Sequence, residues 1–228
     1  MEHSGMERAG VLQALLDERH SCRDFLPQTV PRETIARMLR MAQRTASWCN
    51  TQPWRLFLGS GDSTRRLKEA LAQVAGRAPA EPDMPFPAAY ENEHLARRRA
   101  AGFQLYAAAG IEKGDRQASR ALSLKNFELF GAPHCLVVAT PAYLGPYALV
   151  DCGGWIANFL LAAQAHGVAA IPQAALAQHA PVLRRHFDID PALTIICGIS
   201  LGFERQSSPL NAYRTDRAPM EEVCAWHA

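Results

Sequence analysis

The run Arg19 to Phe25 (RHSCRDF) places two arginines, a histidine and a serine within five positions, a grouping suited to an anion. If the run is extended, residues i, i+2 and i+4 share a face. Arg19, Ser21 and Arg23 then point one way, and His20 and Cys22 the other. At about 3.3 Å per residue the two arginine Cα atoms would stand roughly 13 Å apart. That span serves both ends of a long ligand with a phosphate at one end and a polar ring edge at the other. The competing reading is a solvated basic turn closing a helix, where cations meet the negative end of the dipole. A second cluster, Thr45 to Trp54 (TASWCNTQPW), sets Ser47, Asn50 and Gln52 beside Trp48 and Trp54. Amides read the donor and acceptor edge of a heteroaromatic ring, and indoles stack on it. The same residues also suit a turn in which Asn50 bonds the backbone and Pro53 opens a strand.

The elements that would position these clusters follow from hydrophobic periodicity. Glu7–Glu18 carries Val11, Leu12, Leu15 and Leu16 at helical spacing, and Pro31–Arg44 carries Ile35, Met38, Leu39 and Ala42 with Pro31 in the first turn. Trp54–Gly59 reads as a strand, and Asp62 as the cap of a helix to about Ala75. Pro79, Pro82, Pro85 and Pro87 break regular structure between Arg77 and Ala89, and Arg97, Arg98 and Arg99 follow, marking an excursion from the core at about 77–115. Beyond it the pattern predicts a helix from Arg116 to about Phe130, a strand at His134–Thr140 and a long helix at Tyr147–His166 stopped by Gly167. Val168–Ile171 and Leu193–Gly202 read as buried strands. The Trp155–His166 helix is apolar nearly all round, so it is a core helix, or packs on a second copy of itself, or both.

Composition narrows the function. The 228 residues are read as one domain, 1–228, and 48% hydrophobic with 20% charged residues excludes a disordered or collagen-like chain. A net charge of +2 is too balanced for a dedicated nucleic-acid or membrane-surface binder, which leaves a small molecule as the partner. Cys152 to Leu183 lacks Asp, Glu, Lys and Arg, yet Gly153, Gly154, Asn158, Gln164, His166, Pro172 and Gln173 interrupt it, against a membrane span. The six cysteines contain no C-x-x-C pair and read as reduced, mostly buried residues; with no signal-peptide pattern at the start, the expected location is cytoplasmic. His134, His166, His179 and His186 lack metal-ligand spacing, so no metal is expected, and neither G-x-G-x-x-G nor a P-loop occurs.

Four motifs stand in order: Arg-His-Ser-x-Arg at 19–23, Ser-x-x-Asn-x-Gln-Pro-Trp at 47–54, Asn126 ahead of Phe-Gly-Ala-Pro, and Arg-x-Pro at 217–219. Together they resemble the FMN-dependent nitroreductase family over nearly the whole chain. The resemblance implies an α+β fold, a mixed central sheet flanked by helices in an α-β-α sandwich. It also implies an intertwined homodimer with two FMN molecules at its interface. Carried over by position, Arg19, His20 and Ser21 resemble contacts to the FMN phosphate and ribityl chain, and Arg23 the cation near the flavin pyrimidine. Ser47, Trp48, Asn50 and Gln52 fall in the segment that the second subunit lays against the flavin. Asn126 resembles an amide at the pyrimidine edge, Arg217 a late phosphate-binding arginine with Arg214 a weaker one, and Pro172, Gln173 and Ala174 the turn approaching flavin N5. Leu129 stands where some members have a basic residue, which leaves Arg23 as the chief cation near the ring, with Asn126 beside it in tuning. The implied activity is ping-pong hydride transfer from NADH or NADPH through flavin N5 to a nitroaromatic or quinone acceptor. A reductive dehalogenase, a flavin-consuming enzyme and a non-catalytic FMN-binding or storage protein are the alternatives.

Overall fold

Four apolar segments build one sheet in the order β1 (Arg55–Ser60), β2 (His134–Pro141), β4 (Leu193–Gly202), β3 (Ala169–Gln173) in the computed structural model, which describes residues 2–227. All three ladders are antiparallel, with a register shift between Val138 and Ala139 where β2 meets β4. The parallel pairing of the expected mixed sheet is confined to the bridge between Ser21 and Ala170. That bridge lays the Arg19–Arg23 run along the edge strand β3 in extended form. Strand β2 is buried from His134 to Thr140, which explains its unbroken apolar run: both faces of the sheet are covered.

The helices are α1 (Glu2–Glu18), α2 (Arg32–Ala42), α3 (Asp62–Val74), α4 (Asn92–Ala108), α5 (Arg116–Leu124), α6 (Gly145–Ala165), α7 (Ala174–Ala177), α8 (Ala180–Phe187), α9 (Pro209–Ala212) and α10 (Met220–Val223). On one face Leu67 and Leu71 of α3 meet Leu176 and Leu183 of α7 and α8, together with Phe127 and Phe130. On the other, Met38 of α2 meets Trp155 and Phe159 of α6. Trp155 and Phe159 stack at 5.2 Å, both fully buried, so Phe159→Ala would cost about 3–5 kcal/mol of stability. Helix α6 bears out the first sequence reading, a core helix, and leaves an exposed apolar side. Its Trp155 face is core, while Tyr143, just ahead of it, and Tyr147 and Val150 are 86%, 62% and 69% exposed.

Several boundaries differ from the sequence expectation for identifiable reasons. Pro31 precedes α2 rather than occupying its first turn, and Asp62 is already helical behind a Gly61 cap at φ +54. The helix from Arg116 stops at Leu124, and Leu129, Phe130 and Gly131 all take left-handed backbone before β2. Strand β3 starts one residue late and runs on to Gln173. The excursion is ordered. Asp83 accepts from Arg184 Nη2 (2.6 Å) and the Ile195 amide (2.7 Å), pinning the proline-rich stretch to β4. The 17-residue α4 follows, tied to the C-terminal segment by the Arg97–Glu222 ion pair at 2.9 Å. Four cysteines are buried, and burial pushes the Cys22 thiol up to about 12, as expected for an inert core residue; Cys49 is exposed and Cys224 half-buried.

Candidate functional site

Three separate stretches of chain line one cavity of about 410 Å³, and two of them bring cations to it. Its walls include Arg19, Ser21 and Arg23 from the extended run, Ala101, Gly102 and Leu105 from α4, and Tyr213, Arg214, Thr215 and Arg217 from the C-terminal segment. The alternation expected from the sequence holds: Cys22 turns into the core, and its amide donates to the Ala170 carbonyl at 3.3 Å. Burial first, and then the charges of Arg217 and Arg214, hold the Arg19 guanidinium below its ordinary range. Three guanidinium groups crowded in this way are relieved by an anion, and the donor set suits a phosphate.

His20 lines the same cavity, but its ring turns away from the arginines. Nδ1 faces the Glu18 carbonyl and Nε2 the Glu204 carboxylate, each at 3.0 Å. Arg23 is positioned by a residue that the sequence did not single out. The buried Asn211 accepts from the Arg23 amide at 2.7 Å and donates to the Asp24 carbonyl at 2.9 Å. Arg23 Nη1 donates to the Ser21 carbonyl, and its guanidinium lies 5.7 Å from the centre of the Tyr213 ring. Arg214 and Arg217 fold back on their own segment, to the Asn211 and Tyr213 carbonyls and to Thr215 respectively, which keeps both at the cavity rim.

A second cavity of about 300 Å³ shares Arg23 and Leu105 with the first and extends over Tyr106, Asn126, Pro172, Gln173 and Ala174. The spacing between a cationic end and an amide-lined end is therefore present, with Arg23 at the junction. The backbone turn at Pro172–Ala174 lies at the end of β3, where Gly198 stands opposite Gln173. A Cβ at Gly198 would run into Leu176 Cδ1, so any side chain there would have to displace Leu176, on which α7 seats beside this turn.

The Ser47–Gln52 segment lines neither cavity of its own chain. It is a turn on α6: the Trp48 amide donates to the Asp151 carboxylate, and the Trp48 indole meets Tyr147 edge-on at 4.3 Å. Ser47 Oγ accepts from the Gln52 amide at 2.9 Å, and Gln52 Nε2 reaches Asn50. Cys49, Asn50 and Gln52 hold φ values of 51°, 55° and 47°, three non-glycine residues in the left-handed region, a form of strain that collects at functional sites. Trp48 remains 56% exposed. Trp54 is core, bonded to Gln43 at 2.9 Å, and offers no stacking face.

Residues 16–203 match the family model described as the Nitroreductase family, and the chain belongs to that family. It is 32% identical over 213 residues to a 4-nitrobenzoate reductase of Nocardioides sp. (strain LMS-CY), covering 91% of this chain and 86% of that protein. It is 30% identical over 219 residues to nitroreductase NfnB of Mycolicibacterium smegmatis, covering 96% and 93%. The crystal structure of FMN-dependent nitroreductase NfnB from Mycobacterium smegmatis, in complex with NADPH, superimposes with a TM-score of 0.92 at 28% identity over 96% of this chain and 99% of that one.

Proposed function

We propose that the protein is an FMN-dependent oxidoreductase that uses NADH or NADPH to reduce small nitroaromatic acceptors, with FMN lying across the two adjoining cavities. The observation that carries this reading is the continuity of the arginine cavity with the amide-lined cavity through Arg23. Similar proteins named as 4-nitrobenzoate reductases, and the NADPH complex of NfnB, support the choice of acceptor and donor.

When bound, FMN supplies the hydride chemistry, which the protein need not provide from its own side chains. Arg19, Arg214 and Arg217 would hold the phosphate, with Ser21 beside them at the ribityl chain. Arg23 and Asn126 face the ring edge, where a cation and an amide donor stabilise negative charge. The turn at Pro172, Gln173 and Ala174 borders the same cavity and limits how the ring can sit. Helix α4 lines both cavities, through Gly102 and Leu105 in the first and Leu105 and Tyr106 in the second. Each cycle consumes one reduced nicotinamide and one proton: R–NO2 becomes R–NO with release of water, and a second cycle takes R–NO to R–NHOH. Donor and acceptor would bind in turn.

The proposal includes a homodimer. The uncharged outer face formed by Tyr147 and Val150 of α6 with the preceding Tyr143 is the surface on which a second copy would pack. The outward Ser47–Gln52 turn borders that face, and in the dimer it reaches the partner's cavities. The reading is tested by purifying the chain: a yellow protein is expected that releases FMN, not FAD, on denaturation and oxidises NADPH when given 4-nitrobenzoate. A colourless protein that takes up no added FMN would overturn it, and flavin without turnover would leave a storage protein.

A further inference from the structure

The amide-lined cavity ends in a chain of side chains whose hydrogen-bond polarity is forced by two backbone carbonyls. Gln173 Nε2 lies 3.0 Å from the Asn126 main-chain oxygen and 3.1 Å from Asn126 Oδ1. A main-chain carbonyl only accepts, so Gln173 must turn its NH2 group to Asn126. Its Oε1 then faces Ser200, whose hydroxyl donates to it. At the far side Asn126 Nδ2 donates to the Ser123 carbonyl at 2.9 Å, which fixes the Asn126 amide the same way round from an independent direction. Gln173 is 3% exposed and Ser200 fully buried, so neither can turn to water for another partner. Both Gln173 Nε2 hydrogens are used on Asn126, and its Oε1 on Ser200. The Gln173 side chain therefore has no donor left for a ligand, although sequence comparison placed it at the turn nearest the ring. Asn126 has its oxygen turned to Gln173 and one Nδ2 hydrogen to spare.

We propose that Gln173, locked by Ser200, is a positioning residue that makes Asn126 offer a hydrogen-bond donor, and never an acceptor, to the ring cavity. Without Gln173 the Asn126 amide keeps only the Ser123 carbonyl as a fixing partner, and its oxygen is released as an acceptor beside the site. The proposal rests on the reading that the ring edge of FMN occupies this cavity. A donor at that edge interacts more strongly once the ring has gained negative charge, so it favours the reduced over the oxidised cofactor.

The experiment is potentiometry on the FMN-loaded full chain, with melting temperature and FMN affinity measured alongside, for Asn126→Ala, Gln173→Met, Ser200→Ala and their pairings with Asn126→Ala. Asn126→Ala is expected to weaken the preference for reduced flavin about tenfold, which for a two-electron couple lowers the potential by about 30 mV. Gln173→Met should reproduce most of that fall, and Ser200→Ala about a threefold part of it. Neither should add anything in the Asn126→Ala background, because both act through that amide. A merely structural role would lower the melting temperature and leave the potential in place. Unchanged potentials, or additive shifts in the double variants, would overturn the proposal while leaving FMN binding intact. If Gln173→Met does not fold, the Ser200→Ala pair decides on its own. Failure of the wild-type chain to bind FMN would instead defeat the functional reading beneath it.

Discussion

The arginine cavity and the Ser47–Gln52 turn are both assembled from polar residues at element ends, yet they differ in what they leave undone. In the cavity, residues 19–23, α4 and residues 213–217 meet inside one chain, and burial there, followed by the charges of Arg217 and Arg214, depresses Arg19. In the turn, Ser47, Asn50 and Gln52 satisfy one another, while Trp48 stays largely outside and three backbone angles are left-handed. The first is a set of walls that one chain assembles by itself. The second is a shaped surface whose counterpart, in our proposal, belongs to a second copy of the chain.

The largest expected effect breaks this division. Val150→Asp puts a charge in the middle of the outward face of α6, so light scattering should show a monomer, and flavin should be lost although every cavity residue is intact. A monomer that retains FMN at full affinity would mean that the turn contributes nothing. Arg19→Ala attacks the other side. Charge-assisted hydrogen bonds contribute about 1.5–3 kcal/mol, so FMN affinity should fall about 10- to 100-fold by calorimetry, with the dimer unchanged.

Arg23→Ala should act less on affinity and more on energetics. Arg23 sits where the two cavities join and is, among the described residues, the only cation lining the smaller one, so its loss should lower the flavin reduction potential and slow reduction by NADPH. Arg23→Lys keeps the charge without the planar fork and should restore part of the potential. An unchanged potential would move this side chain to the phosphate group.

The smallest effect concerns the scaffold shared by both regions. Burial holds His134, His179 and His186 below the usual histidine range. His134 is fixed in the neutral state, accepting from the Val30 amide at 2.9 Å and bonded to Ser60 at 2.8 Å. Below about pH 6.5 the unfolded chain therefore binds more protons than the folded one, and stability falls with pH. Thermal melts of the flavin-free protein should move down by a few degrees from pH 7.5 to pH 5. A flat profile would mean that these histidines charge freely in the folded state.

Much of the site was legible because extended chain has a two-residue period. Arg19, Ser21 and Arg23 fall on one side, and Cys22 in the core, as that period requires. The four strands were legible from apolar runs to within a residue or two, apart from the extension of β3. The roof was not. Helix α4 has no buried residue and faces the cavities with Gly102, Leu105 and Tyr106, so it carries no hydrophobic stripe to detect. Arg214, the weaker phosphate arginine by resemblance, lines the same cavity as Arg217, its side chain folded back onto the Asn211 and Tyr213 carbonyls. Asn211 and the left-handed stretch Leu129–Gly131 gave no signal, since their roles depend on partners far away in the chain.

The central claim is that one molecule spans both cavities, with its phosphate among the arginines and its ring against Asn126. Titration of the flavin-free protein with FMN and with riboflavin, which lacks the phosphate, tests this directly. The wild-type chain is expected to favour FMN by about 100-fold, the equivalent of roughly 2.7 kcal/mol, and the Arg19→Ala, Arg217→Ala double variant to bind the two with nearly equal affinity. Equal affinities in the wild-type chain, or a preference that survives the double variant, would contradict the assignment of the arginine cavity.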